Sequence, residues 1–133
     1  PIIETVHKPV CFFDVRSGTA YDIHNVRKKR VCAVSSIGAP DTFIATLTGL
    51  EAEIGERFDF DDHHRYSRKD MQRIVKCCQE EGITAIITTE KDVVKIKPLM
   101  GEIPEDFRVL SLKIKIAIIH GEGRLIERIR SVL

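Results

Sequence analysis

The sequence predicts an α/β domain: a mainly parallel sheet of about four to five strands, flanked by helices in two or three layers. Three observations lead there. Short apolar runs suited to buried strands alternate with helical segments of about ten to fifteen residues, the pattern of βαβ units. The chain has 133 residues, the size of one domain with its own core. Nothing in residues 1–133 divides them: there is no internal repeat, low-complexity stretch or long linker.

The first strand is Pro9–Val15, PVCFFDV, followed by the turn-rich RSGTAYD. Arg30–Ser36, RVCAVSS, is the second, entered through the basic run Arg27–Arg30. IGAP then turns into a helix, since Pro40 suits a first helical position. Phe43, Ile44, Leu47 and Leu50 give that helix one apolar face. Glu53–Phe60 is the third strand. Ser67 and Asp70 form a Ser-x-x-Asp helix start, Met71, Ile74, Val75 and Cys78 line the buried face, and Gly82 ends it. Thr84–Thr89, TAIITT, is a β-branched fourth strand, and EKDVVKIKPLM contains a short helix. Phe107–Ile118 reads as a fifth strand. GEGRLIERIRSVL is expected to close the chain as a helix, with Leu125, Ile126, Ile129 and Val132 inward.

Hydrophobic content of 43% with 31% charged residues is that of a soluble globular protein. A net charge of +1 gives no global field to select nucleic acid or membrane. No apolar run reaches membrane-spanning length, and Pro1–Lys8 lacks the basic and apolar regions of a signal peptide. Pro rather than Met at position 1 suggests a piece of a longer or processed polypeptide. Cys11, Cys32, Cys77 and Cys78 make no CxxC motif, and a reduced, cytosolic compartment fits them.

In open α/β sheets the working residues gather at the carboxyl ends of the strands. Three polar loops fall there: SSIGAP after the second strand, DDHHRYS after the third and TTEKDVVK after the fourth. If the strands are parallel, the loops share one edge. In the first loop, free N–H groups near Ser35, Ser36 and Gly38 suit an anion, or Gly38 makes a tight turn and the serines cap the helix; we read the latter. No G-x-x-x-x-G-K-[ST] loop occurs.

The second loop is compatible with an acid–base centre, with Asp62 orienting His63, or with a solvated loop. Asp61, Asp62, His63 and His64 are contiguous, which makes a self-contained metal site geometrically awkward. In the third loop, Lys91 and Asp92 suit a phosphorylated ligand. The alternative is structural: Thr88 or Thr89 caps a helix, Glu90 and Asp92 face its dipole, and Lys95 lies on a solvated face. A buried Lys91–Asp62 bridge is a third possibility. The run Arg27–Arg30 has no aromatic interleaving, so nucleic-acid binding is not expected.

These three loops carry a family resemblance. Ser36-Ile37-Gly38-Ala39-Pro40-Asp41-Thr42-Phe43 with Leu47, then Phe60-Asp61-Asp62-His63-His64-Arg65-Tyr66, then Thr88 through Lys95 follow the pattern GIGxPxxF…L, FxDHHxY, TTEKDxVK. The chain thereby resembles the C-terminal part of tetraacyldisaccharide 4'-kinase, from about Lys8 to near its end. Ser36 stands where the pattern has its first glycine, and Asp61 where proline is frequent.

The resemblance implies a kinase of lipid A biosynthesis that moves the γ-phosphate of ATP, with magnesium, to the 4'-hydroxyl of a tetraacylated glucosamine disaccharide. It implies a partner P-loop domain, N-terminal to this chain, holding ATP, Mg²⁺ and most of the lipid A precursor. It further implies a peripheral location on the cytoplasmic face of the inner membrane, to which Arg27–Arg30 contribute at most an electrostatic contact. His63 would be the catalytic residue, working across the cleft with an aspartate of the other domain. Asp62 would support it, with Lys91 and Asp92 touching substrate. Two other readings remain at this point: a non-catalytic scaffold or regulatory domain, and a DHH-type metal-dependent phosphoesterase, for which Asp14 is the lone upstream acidic partner.

Overall fold

The computed structural model describes the backbone of residues 4–119 and 125–128 and the side chains of residues 7–116. The chain runs β1 (Glu4–Asp14), β2 (Ala20–Tyr21), a 3₁₀ turn (Ile23–Val26), β3 (Arg30–Ser35), α1 (Pro40–Gly49), β4 (Glu53–Asp59), α2 (Arg68–Glu81), β5 (Ala85–Thr89), α3 (Glu90–Ile96), a second 3₁₀ segment (Lys97–Glu102), β6 (Arg108–Ile119) and β7 (Leu125–Arg128). The strands form one sheet in the order β2-β1-β6-β5-β3-β4, with β7 also paired to β6.

The middle of the sheet is parallel: β4 on β3, β3 on β5, and β5 on β6. The flanks are not. β1 lies antiparallel to β6, with a register shift between Pro9 and Cys11, where proline has no N–H to give the ladder. β2 and β7 are short antiparallel additions. The sheet is therefore mixed and wider than the four to five strands expected.

β3 shows why its run is continuously apolar. Val31 and Ala33 face one core with Phe12, Phe43, Leu47, Ile87, Leu110 and Leu112. Cys32 and Val34 face the other, with Met71, Ile74, Cys78, Ile86, Ile96 and Val109. Successive side chains point to opposite faces, and both faces are covered, as parallel strands require. α1 covers one face and α2 with α3 the other, so the layers number three.

α2 starts as its sequence predicts. Ser67 Oγ accepts from the Asp70 N–H (3.1 Å) and Asp70 Oδ2 accepts from the Ser67 N–H (2.9 Å); Gly82 closes the helix at φ +68°, a conformation glycine takes without steric cost. Ser67→Ala is expected to lower stability by about 1 kcal/mol, read from a urea midpoint with unchanged slope.

The expected C-terminal helix is corrected where it is described: Leu125–Arg128 is β7, pairing with Ile116–Ile119 of β6. β5 accompanies β6 only from Arg108 to Leu112. Backbone groups beyond that point need partners, and a strand supplies them where an amphipathic helix would not. Ile129 and Val132 lie outside the described residues.

Candidate functional site

β3, β4 and β5 run in the same direction and end together, with Ser35 opposite Asp59 and Val34 opposite Thr88. The three polar loops therefore emerge along one edge, and a buried carboxylate joins them. Thr89 caps α3, its Oγ accepting from the Asp92 N–H (3.0 Å) while its hydroxyl donates to Asp92 Oδ2 (2.6 Å). Asp92 Oδ2 also accepts from the Ser36 N–H at 3.0 Å. Its Oδ1 accepts from the Ser36 hydroxyl and, at 3.2 Å, from the Tyr66 phenol. Burial, joined by the Asp92 charge, pushes the Tyr66 phenol up, so it stays protonated and donates.

Asp92 is 0% exposed and its oxygens are occupied by protein donors. It was expected at a substrate contact; it is instead a tie between loops. The serines do not cap α1 either, whose N-cap is Ala39 with no side-chain hydrogen bond. Ser36 faces inward because Asp92 needs donors.

Lys95 completes this network. Its ammonium donates to Ser36 Oγ (3.1 Å) and to the His64 carbonyl (3.2 Å). It is partly buried, off the solvated face where spacing put it. Ser36 Oγ thus links the Lys95 cation to the Asp92 carboxylate, an arrangement that offsets the burial of the charge.

The two adjacent histidines separate completely. The His64 ring stacks on Phe60 with centroids 4.3 Å apart and meets the Tyr66 ring edge-on at 5.2 Å. Its Nε2 lies 2.9 Å from Asp70 Oδ2. Burial pushes the Asp70 carboxyl up, but His64 and the two Ser67 hydrogen bonds outweigh it and hold it low. His64 therefore ties the loop to the start of α2. His63 does the reverse: its side chain is 85% exposed and its backbone sits at φ +67°, a left-handed conformation uncommon outside glycine.

Asp62 Oδ2 stands 3.9 Å from His63 Nε2, beyond hydrogen-bond reach and at the outer limit of an ion pair. Its Oδ1 instead accepts from Lys91 Nζ at 2.6 Å and from the His63 N–H at 3.1 Å. The Lys91–Asp62 bridge forms, but at the surface, with side chains 39% and 43% exposed.

The Lys91 hydrogen bond lowers the Asp62 pKa, with the His63 N–H assisting. A carboxyl lowered on folding contributes stability above its unfolded pKa and loses it as acid titrates the folded form. An NMR titration is expected to find Asp62 ionising below the usual carboxylate range, and Lys91→Met to raise it. An unmoved midpoint in that variant would remove the bridge.

Beside His63 lies an open hollow of about 330 Å³ lined by His63, His64, Arg65, Tyr66 and Lys95. Among the described residues, no three His, Cys, Asp or Glu side chains converge on a point that would hold a metal, and no helix is long and apolar enough to cross a membrane. In the basic run, Arg27 pairs with Glu51 and Arg30 with Glu81. Sequence alone offers Ser36 only as an anion contact or cap, His64 as a metal ligand, Lys95 as a solvated cation and Tyr66 as part of a motif; their shared signal is their place inside the three strand-end loops.

The model of a family described as tetraacyldisaccharide-1-P 4'-kinase matches residues 2–133. The tetraacyldisaccharide 4'-kinase of Syntrophus aciditrophicus is 34% identical over 116 residues, covering 86% of this chain and 31% of its own length. That of Anaeromyxobacter sp. (strain Fw109-5) is 31% identical over 132 residues, covering 98% and 34%. A crystal structure of LpxK from Aquifex aeolicus in complex with ATP shares the fold, with a TM-score of 0.56 and 22% identity over 92% of this chain and 33% of that one. The chain thus spans about a third of the length of the relatives it matches.

Proposed function

Because the chain belongs to the tetraacyldisaccharide-1-P 4'-kinase family, we propose that it is the part of such a kinase that presents His63 to the reacting hydroxyl. In this reading the whole protein transfers the γ-phosphate of ATP to the 4'-hydroxyl of a tetraacylated glucosamine disaccharide 1-phosphate. The observation that carries it is one exposed imidazole, at the carboxyl edge of parallel strands, whose immediate neighbours Asp62 and His64 are both tied down.

ATP supplies the phosphoryl group and magnesium neutralises its charge, but the residues of this chain do not fit either. They contain no P-loop sequence and, where described, no cluster of metal ligands. Both are assigned to the remaining two thirds of the relatives' length, in the N-terminal P-loop domain that the resemblance implies. Phosphoryl transfer depends chiefly on positioning and charge stabilisation, with a base to orient the nucleophile. His63 suits that last task, paired with a carboxylate of the other domain. Asp62 holds the His63 N–H and is itself held by Lys91, whose remaining donors suit a phosphate oxygen of the acceptor. Peripheral attachment to the inner membrane fits a lipid acceptor; in the basic run, Lys28 and Lys29 are the cations that would reach the surface, since Arg27 and Arg30 are engaged by carboxylates.

The test is direct. The full-length polypeptide, given γ-labelled ATP and tetraacyldisaccharide 1-phosphate, is expected to form a labelled lipid dependent on both. A folded, nucleotide-binding protein that transfers no label to that acceptor would overturn the reading.

A further inference from the structure

α3 meets the histidine loop at three points. Lys91 Nζ donates to Asp62 Oδ1 at 2.6 Å, Lys95 Nζ to the His64 carbonyl at 3.2 Å, and Asp92 accepts from Tyr66 at 3.2 Å. The first two contacts fall on the residues immediately before and after His63. Lysines four apart lie on one side of a helix, so a single rigid element holds both flanks of this residue. The His63 ring makes no hydrogen bond to a described residue; its polar neighbour is Asp62 Oδ2, 3.9 Å from Nε2. Its backbone nevertheless stays at φ +67°, a conformation that persists in a side-chain-bearing residue when the surroundings over-determine it.

The two lysines are not equivalent. The Lys91–Asp62 pair is half exposed and open to screening, which makes it weak. The Lys95 ammonium is partly buried and has no carboxylate within ion-pairing distance among the described residues. Its hydrogen bonds run to Ser36 Oγ and the His64 carbonyl. One joins it to the Asp92 tie and the other to the carbonyl of His64, the residue after His63.

We propose that Lys95 is a positioning residue: through the His64 carbonyl it holds the left-handed backbone of His63 and so aims the imidazole out of the loop. The inference rests on the cleft role given to His63 above. Asp92 and Ser36 anchor Lys95, and Lys91 steadies the opposite flank through Asp62.

The test separates positioning from mere stability. In the full-length enzyme, Lys95→Met is expected to lower kcat about 10–100-fold with KM for ATP and acceptor within about twofold, the split of an interaction that matters in the transition state. Combined with His63→Ala, it is expected to cause no further loss, because residues acting as a unit are not additive. Independently of turnover, the His63 Cα and Cβ chemical shifts of the variant are expected to leave their left-handed values. Additive losses, or unmoved His63 shifts, would overturn the proposal. Should His63→Ala itself leave turnover intact, the cleft role falls while the shifts still decide the positioning. If Lys95→Met does not fold, Lys95→Gln, which removes the charge but stays polar and leaves Asp92 intact, is read by the same shifts.

Discussion

Replacing His63 with alanine in the full-length polypeptide is expected to lower turnover by about 10²–10⁴-fold, the range for losing a positioned acid–base group. Stability is expected to fall by no more than about 1 kcal/mol, the scale of a left-handed backbone for an L-residue, a cost that histidine already bears in part. The two expectations diverge because of how the residue is held. Its ring is 85% exposed and hydrogen-bonds to no described residue, so removing it leaves no cavity and no orphaned partner. The left-handed backbone persists because Asp62 and His64 are held on either side. Alanine, though less at ease there than histidine, accepts it at small cost. Steady-state kinetics beside a urea melt would check both halves. Wild-type turnover in a folded variant would remove His63 from the mechanism.

Asp92→Ala is expected to produce the largest loss of stability, about 3–5 kcal/mol, because several buried donors lose their acceptor at once and each costs about 1–3 kcal/mol. Four donors converge on this carboxylate: the Ser36 N–H, its hydroxyl, the Thr89 hydroxyl and the Tyr66 phenol. Truncation orphans them together and strips Lys95 of the charge it faces through Ser36. Asp92→Asn keeps the shape and part of the accepting capacity, so about 1–3 kcal/mol is expected. Urea denaturation with unchanged slope gives both values. A loss under about 1 kcal/mol for alanine would mean that water replaces the carboxylate and the tie is dispensable.

The edge that gathers the three polar loops was legible because strand direction and loop position follow from βαβ alternation, which local patterns report well. Ser67 with Asp70 announced α2, and Thr89 ahead of Glu90 announced α3. What stayed hidden depends on pairs far apart in the chain. Nothing in Asp92 tells that it turns inward, since an acid in a first helical turn is equally at home against the dipole. Its burial depends on Ser36, 56 positions earlier. Lys95 reads as a surface cation until Ser36 and the His64 carbonyl are placed beside it. Likewise, an apolar run does not encode direction, so β1 gave no sign of being antiparallel. Leu125–Arg128 fits a helix or a strand until the open edge of β6 is seen.

The antiparallel pairing of β1 with β6 also sets a schedule during synthesis. β1 is made before the other strands, yet its ten-position ladder belongs to a strand that begins at Arg108. By then α3 has been synthesised, and β3, β4 and β5 are already able to associate beneath the histidine loop. At about 5–20 residues per second, roughly a hundred residues of translation leave β1 waiting for about 5–20 s. The part of the chain that would carry the chemistry can therefore assemble early. The aggregation hazard falls on the apolar Val10–Phe13 stretch, which sits exposed on the nascent polypeptide until its partner emerges from the ribosome.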